Sequence, residues 1–448
     1  MRITLLNLVA LILFTTVNLS AQETKPADFS LQAAIDYAIK HNATYLNAEL
    51  DVKMAKDKNK EVLAMGLPQI GASADFKDYF EIPTSLLPGQ FFGAPPGTFI
   101  PVKFGTQYQA MAGVSVSQLI FNSDYIVGLK AAKELKVLSE KTLARTKTET
   151  IVTITKAYYT ALINKERLKT LDANIIRLKK LYDDTKILNQ NGFVEKMDVD
   201  RLELTYNNLV TEREKIGRLV GITETLLKFQ MGYDLKQPVN LTDEIKAEQL
   251  QDIDLLSDSK ANYDSRHEYQ LLQSQLKLNN IELKRYKYQY LPSLVAYASY
   301  NQQAQRTEFN FFDAKEKWFP IGSFGATLNI PIFNGGSKYY KIKQAKLNIL
   351  KTENSINQVK SYIDFEITSG SIAYKNAYAS MQMQKKNKEL AQSIYETSRK
   401  KYEAGVGSNF ELVSAETALK ESETNYLDAI YNLLIAKTDL DKANGTLK

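Results

Sequence analysis

Four stretches of this chain alternate apolar and polar residues with a period of two, and longer stretches between them change to spacings of three and four. In the first, Ile70, Ala72, Ala74 and Phe76 fall on one side, with Ser73, Asp75 and Lys77 on the other. The second sets Tyr108, Ala110, Ala112, Val114 and Val116 against Gln107, Gln109, Ser115 and Ser117. A similar pair follows much later: Leu294, Ala296, Ala298 and Tyr300, then Phe324, Ala326, Leu328, Ile330 and Ile332. Such alternation predicts strands with one apolar face. Segments of roughly 10 to 12 residues suit strands spanning an outer membrane, and a half-buried soluble sheet reads the same way.

After each strand pair the period lengthens. Ile151, Ile154, Tyr158 and Ala161, and later Ile342, Ala345, Ile349, Thr352, Ile356, Val359 and Ile363, mark the seam of a coiled coil. A continuous helix from Ser123 to Asn189 would run about 100 Å at ~1.5 Å per residue. No proline interrupts Val102–Gln237 or Ile332–Lys448, so nothing removes a helical donor there. Glycines at 192 and 405 reverse the chain. The second returning helix carries Leu412, Ala415, Leu419, Ser422, Tyr426, Ala429, Leu433, Ala436 and Leu440 at the same spacing. Shorter helices, Ser30 to about Gly66 and about Tyr263 to Tyr290, end at Leu67-Pro68 and Leu291-Pro292, where proline stops a helix and starts an extended segment.

The two series are copies of one pattern. GVSVSQLIFN at Gly113–Asn122 returns as GATLNIPIFN at Gly325–Asn334, 212 positions later, and Leu181–Val199 returns as Ile394–Leu412, 213 positions later. Gly232 and Gly445 close the copies. Self-similarity over such a period predicts units that bury their apolar faces on one another. The expected organisation is a signal at 1–21, a first repeat at 22–232, a connector at 233–262 with a short strand and helix, and a second repeat at 263–448.

Composition narrows the setting. Arg2, the apolar run Leu5–Val17 and Ser20-Ala21 form a secretory signal, and the run is shorter than the ~20 residues of a spanning helix. Cysteine is absent from the 448 residues, which excludes disulfides and thiolate metal sites. The formal charge of +6 falls to +5 without Arg2; spread over this length it implies no nucleic-acid partner. Between the paired strands lie a proline-rich loop at Ile82–Gly105 and an aromatic one at Gln302–Gly322, the latter with Phe309, Phe311, Phe312, Trp318 and Phe319. Aromatic residues flanking an apolar band suit a membrane interface, as they suit an ordinary aromatic surface loop.

Four membrane strands cannot close a barrel alone, because an open edge in lipid leaves backbone groups unpaired. Two copies give eight strands and an interior filled by side chains; three give twelve and favour an open lumen. The order of signal, helix ending in Leu-Pro, strand pair, IPIFNGG turn (Ile330–Gly336) and long helical hairpin, given twice, resembles the TolC-like outer-membrane efflux protein family. The resemblance covers essentially the whole mature chain. It implies a mixed α and β membrane protein: a homotrimer whose 12-stranded barrel in the outer membrane continues into a coiled-coil periplasmic tunnel. It also implies passive conduction of cargo, with energy from an inner-membrane transporter and a periplasmic adaptor between the two.

The turns of the hairpins are the candidate sites. The resemblance makes Gly192, Phe193 and Val194, with Gly405, Val406 and Gly407, the adaptor contacts, and places Asp198, Arg201, Glu411 and Ser414 at the periplasmic entrance. Both acids lie six residues beyond their glycine. In a threefold assembly each would form a ring of like charge that favours cations; a carboxylate in a first helical turn also simply suits the helix dipole. Ser414 stands where the family often has a second acid, which weakens cation selectivity. Arg201 belongs either to a network with Asp198 that holds the entrance shut or to a solvated ion pair.

Enzymatic chemistry has little support: His41 and His267 lie far apart, no metal-ligand cluster or phosphate-cradling loop is present, and no cofactor is implied. The competing readings are a periplasmic coiled-coil adaptor or scaffold without a pore, and a self-sufficient porin, for which four strands are too few.

Overall fold

The computed structural model describes residues 27–245 and 262–447. The expected signal and the helix expected within the connector lie outside these residues. Two compact units emerge, each drawn from separate parts of the chain. One takes the described residues up to Ala48, with Leu143–Arg266 and Lys360 onward; the other takes Glu49–Thr142 and His267–Val359.

In chain order, strand β1 (Ala27–Phe29) precedes helices α1 (Leu31–His41) and α2 (Ala43–Ala64). Then come β2 (Gln69–Asp78), β3 (Thr84–Pro88), β4 (Phe99–Lys103), β5 (Tyr108–Phe121), α3 (Ser123–Gln190), α4 (Lys196–Met231) and β6 (Val239–Leu241). The second series runs α5 (His267–Tyr288), β7 (Ser293–Arg306), β8 (Phe319–Asn329), α6 (Ser337–Glu403) and α7 (Asn409–Ala443). At 68 and 67 residues, α3 and α6 are as long as the unbroken seams predict. No helix among the described residues is long and apolar enough to cross a membrane.

In the unit built from Glu49–Thr142 and His267–Val359, β2, β5, β7 and β8 form one antiparallel sheet in that order. Its register sorts side chains by polarity. Ala72 lies opposite Val114, Val114 opposite Tyr300, Val116 opposite Ala298, and Ala298 opposite Phe324. The other face carries Ser73, Asp75, Ser115, Asn301 and Gln303, and the Ser299 and Ser323 hydroxyls meet there at 2.9 Å. Since a one-residue slip would exchange the faces, the alternation read from the sequence limits the pairing to registers that keep the two faces apart, of which this is one. A bulge at Ile120 breaks the register at the foot of β5.

The expected elements need four adjustments. Strand β8 stops at Asn329, so Ile330 and Ile332 lie beyond it: Ser293 pairs with Asn329, Pro292 comes next on one strand and Pro331 two residues on along the other, and neither has an N–H to give to a ladder. The Ile82–Gly105 loop holds a small hairpin, with Thr84 opposite Lys103 and Pro88 opposite Phe99. The first helix is broken at Asn42, whose Oδ1 accepts from the Tyr45 N–H at 3.1 Å while its Nδ2 donates to the Gln230 carbonyl at 2.7 Å. One side chain thus ends α1 and starts α2. Finally, α5 begins at His267 because Tyr263–Ser265 is a single 3₁₀ turn.

The other unit has its own core. Strands β1 and β6 pair in parallel, giving the strand expected in the connector. Around them Phe29, Ile35, Ile154, Tyr158, Leu227 and Met231 are buried together. The Tyr158 hydroxyl donates to the Phe29 carbonyl at 3.0 Å, and burial holds its pKa far above that of an ordinary phenol. The seam residues Ile151, Ile154, Tyr158 and Ala161 are buried, as are Leu412, Leu419, Leu433 and Leu440. Heptad spacing in the sequence therefore becomes packed helix faces.

Candidate functional site: the two helical tips

Helices α3 and α4 join through residues 191–195, and α6 and α7 through residues 404–408. Both turns have one geometry. The Gly192 N–H donates to the Asn189 carbonyl and the Phe193 N–H to the Leu188 carbonyl; Gly405 repeats this with Tyr402, and Val406 with Lys401. This paired capping needs a left-handed residue just past the helix. Gly192 and Gly405 supply it with φ of +79° and +73°. A side chain at either would meet open space, so the obstacle to substitution is backbone strain; at Gly407 a Cβ would come within 3.0 Å of Lys401 and Tyr402.

The turns leave apolar groups in solvent: Phe193 and Val406 are each 78% exposed. Val194 is half-buried, and its carbonyl accepts from Asn189 Nδ2 at 2.8 Å. The two tips also touch. Asn409, itself buried, donates through Nδ2 to the Asp198 backbone carbonyl at 3.0 Å. Next to it the Arg201 guanidinium lies 5.5 Å from the centre of the Phe410 ring.

These contacts revise the expected charge pattern. Among the described residues Arg201 makes no ion pair with Asp198; it sits on an aromatic face, where a cation is attracted by the ring quadrupole. Glu411 faces Lys401 at 3.6 Å, and its N–H is capped by the Ser408 hydroxyl at 3.1 Å. Ser414 is exposed. Asp198 and Glu411 both stand in the first turn of their helices, as the dipole favours.

Above the tips lies a polar cluster that the spacing of glycines and acids does not signal. Arg177 Nε donates to both carboxylate oxygens of Glu416 at 3.1 Å, and its NH2 nitrogen donates to Asn174 Oδ1 at 2.8 Å. Asn174 passes the connection on to Glu423 at 2.9 Å. The guanidinium also lies 5.1 Å from the centre of the Tyr395 ring. The Glu416 side chain is 5% exposed, and burial pushes its carboxyl above the ordinary range, with Arg177 opposing the shift. Further ion pairs join α3 or α4 to α7: Arg167 with Asp428, Lys420 with Glu212, and Lys156 with Asp439. Beside the cluster a groove of about 460 Å³ is lined by Arg177, Lys180, Asp184, Tyr395, Arg399 and Tyr402. A glutamate adjoining the Leu412–Ala415–Leu419 seam was the available sequence signal.

Residues 272–446 match the model of the outer membrane efflux protein family. The fold matches solved outer-membrane channels over nearly the whole chain. VceC of Vibrio cholerae aligns with a TM-score of 0.70 at 15% identity, over 93% of this chain and 96% of its own. The CmeC channel of Campylobacter jejuni aligns at 0.73 and 16%, over 93% and 85%. The open-state MtrE channel of Neisseria gonorrhoeae aligns at 0.71 and 16%, over 93% and 88%. No curated protein sequence matches the chain. The resemblance to outer-membrane efflux proteins is thus borne out by sequence over 272–446 and by fold over almost all of the chain. The matched family is one of channels, not enzymes.

Proposed function

We propose that this protein is the exit duct of an export system, with three copies closing one 12-stranded barrel in an outer membrane and their helices continuing as a periplasmic tunnel. The observation that carries this reading is the open, two-faced sheet. Among the described residues β2 and β8 each pair on one side only, and hydrocarbon does not tolerate a free edge. Meeting between β2 of one copy and β8 of the next removes every such edge, and twelve strands leave a lumen. The apolar faces then meet lipid and the polar faces line water. A periplasmic adaptor or scaffold would use the helices and leave this sheet without a purpose. The twofold series of helix, strand pair and hairpin supports reading 22–232 and 263–448 as duplicated halves about a connector at 233–262.

Cargo passes without chemistry at the duct, driven by an inner-membrane transporter through a periplasmic adaptor. We assign the adaptor contacts to Gly192–Val194 and Gly405–Gly407, whose exposed Phe193 and Val406 offer apolar anchors. Asp198 and Glu411 face the entrance, with Arg201 and Ser414 beside them. Lys401 offsets Glu411, so the entrance is a weaker cation filter than two full acidic rings. Membrane fractionation followed by gel analysis of unheated and heated samples tests the assembly. An outer-membrane, heat-resistant trimer is expected; a soluble monomer would defeat the reading.

A further inference from the structure

The end of the sheet where β7 begins and β8 ends carries an unusual surface. From Lys284 to Tyr290 and from Ser337 to Lys346 the chain has seven basic residues and no acid. Arg285 pairs with Asp124 at 3.4 Å, and Lys338 donates to the Gln289 carbonyl. The other five, Lys284, Lys287, Lys341, Lys343 and Lys346, are exposed and make no ion pair among the described residues. At the place in the first series that matches Lys284, counted from the two Leu-Pro pairs, Lys60 is paired with Asp57.

Tyrosines stand among these lysines. Lys338 lies 5.0 Å from the centre of the Tyr290 ring, Lys341 6.0 Å from Tyr286, and Lys343 4.8 Å from Tyr339. Between this cluster and the sheet, Ile332 and Phe333 are 92% and 88% exposed. The sequence of surfaces is therefore an apolar sheet face, an exposed apolar rim, and then cations held on aromatic rings. Amphipathic aromatics and long basic side chains take this order where hydrocarbon gives way to headgroups.

We infer that this lysine and tyrosine cluster binds the anionic headgroups of phospholipids in the membrane leaflet on the helical side of the barrel. Charge complementarity identifies the occupant: five exposed ammonium groups that make no ion pair among the described residues outnumber the two nearby carboxylates, Asp124, which is held by Arg285, and Glu282, which accepts from the Tyr286 hydroxyl, and they stand beside apolar side chains that water does not favour. The inference rests on the duct reading, which puts the sheet in a bilayer. Each lysine engaged at an anionic surface is worth roughly a fivefold preference.

Lipid selectivity in proteoliposomes tests it. With the full chain reconstituted, spin-labelled phosphatidylglycerol and spin-labelled phosphatidylcholine are compared for the fraction held motionally restricted by the protein. An anionic preference of about fivefold or more is expected, weakening as salt rises. It should disappear in the variant carrying K284Q, K287Q, K341Q, K343Q and K346Q, and K341E/K343E should shift selectivity toward the zwitterionic lipid with fewer changes. Equal restriction of both lipids by the unaltered protein, or a preference that survives the five substitutions, overturns the inference. Restriction of neither lipid would overturn the duct reading beneath it instead.

Discussion

Arg177 and Glu416 form a two-pronged ion pair across α3 and α7, with both carboxylate oxygens 3.1 Å from the same guanidinium nitrogen. Removing the arginine strands a carboxylate whose side chain is 5% exposed, which costs about 3 kcal/mol. Glu416→Gln removes the charge and keeps the shape, and it leaves an Arg177 side chain that is 25% exposed and still bonded to Asn174, so its effect should be the smaller of the two. The chain has no cysteine, so a thiol placed at the buried Leu178 reports local opening cleanly. Arg177→Ala should raise its labelling rate by roughly a hundredfold; an unchanged rate would show that the pair does not hold the helices together.

The same carboxyl gives the region a pH dependence. Burial raises the Glu416 pKa in the folded state, so the folded state binds its proton more tightly than the unfolded chain. Stability from this group is therefore fully present below the ordinary glutamate range and lost as pH rises through the raised value. Hydrogen exchange near Leu178 and Leu419, corrected for intrinsic rates, should show stronger protection as pH falls through that window. Glu416→Gln should flatten the trend. The opposite slope in the unaltered protein would contradict the assignment.

At the tips, Gly192→Leu and Gly405→Leu force a branched residue into a left-handed conformation at about 1 to 2 kcal/mol each. Trimers should persist on gels while export falls, because the distortion is confined to the turns. Full export by both variants would remove the tips from the adaptor contact.

Ion selectivity separates the two acids from their surroundings. In single-channel recordings Glu411→Ala should lower the cation-to-anion permeability ratio, whereas Lys401→Ala, by releasing Glu411 from its 3.6 Å partner, should raise it. Both groups are about half exposed, so each shift should stay below about 1 kcal/mol, or roughly fivefold. A ratio insensitive to both changes would exclude a ring at Glu411.

Asn409 offers a structural test of contact between the tips. Asn409→Ala loses the bond to the Asp198 carbonyl and should destabilise the turns by about 1 kcal/mol. Faster protease cleavage at residues 191–195 and 404–408 is the expected readout, and Ser408→Ala should act similarly through its lost cap.

Much of the fold was legible because it rests on periodicity. Val114 and Val116 alternate with serines, and pairing then placed them opposite Tyr300 and Ala298; a one-residue slip would have mixed the faces. The exact end of β8 was less visible because it depends on how the prolines just past the last pair, Ser293 with Asn329, fall once the strands are in register. The break at Asn42 was hidden for a similar reason: its Nδ2 partner, Gln230, lies 188 positions away. The tips were found through their glycines, whose conformation is local. Their electrostatics were not, since the Arg201 contact with Phe410 and the Glu411 contact with Lys401 arise from how separate turns and helices meet. Arg177 and Glu416 lie 239 positions apart, and nothing in either local sequence announces the other.

The edges of β2 and β8, each paired on one side only among the described residues, have a consequence for inheritance and dosage. On the duct reading, a copy that has joined two others cannot leave without opening strand ladders in hydrocarbon, so the composition of each trimer is fixed when it forms. A defective chain made beside an intact one would be sealed into most of the channels that assemble. At equal expression and random assembly only about one trimer in eight would be wholly intact, so on that reading a tip variant that disables any channel it enters would act dominantly.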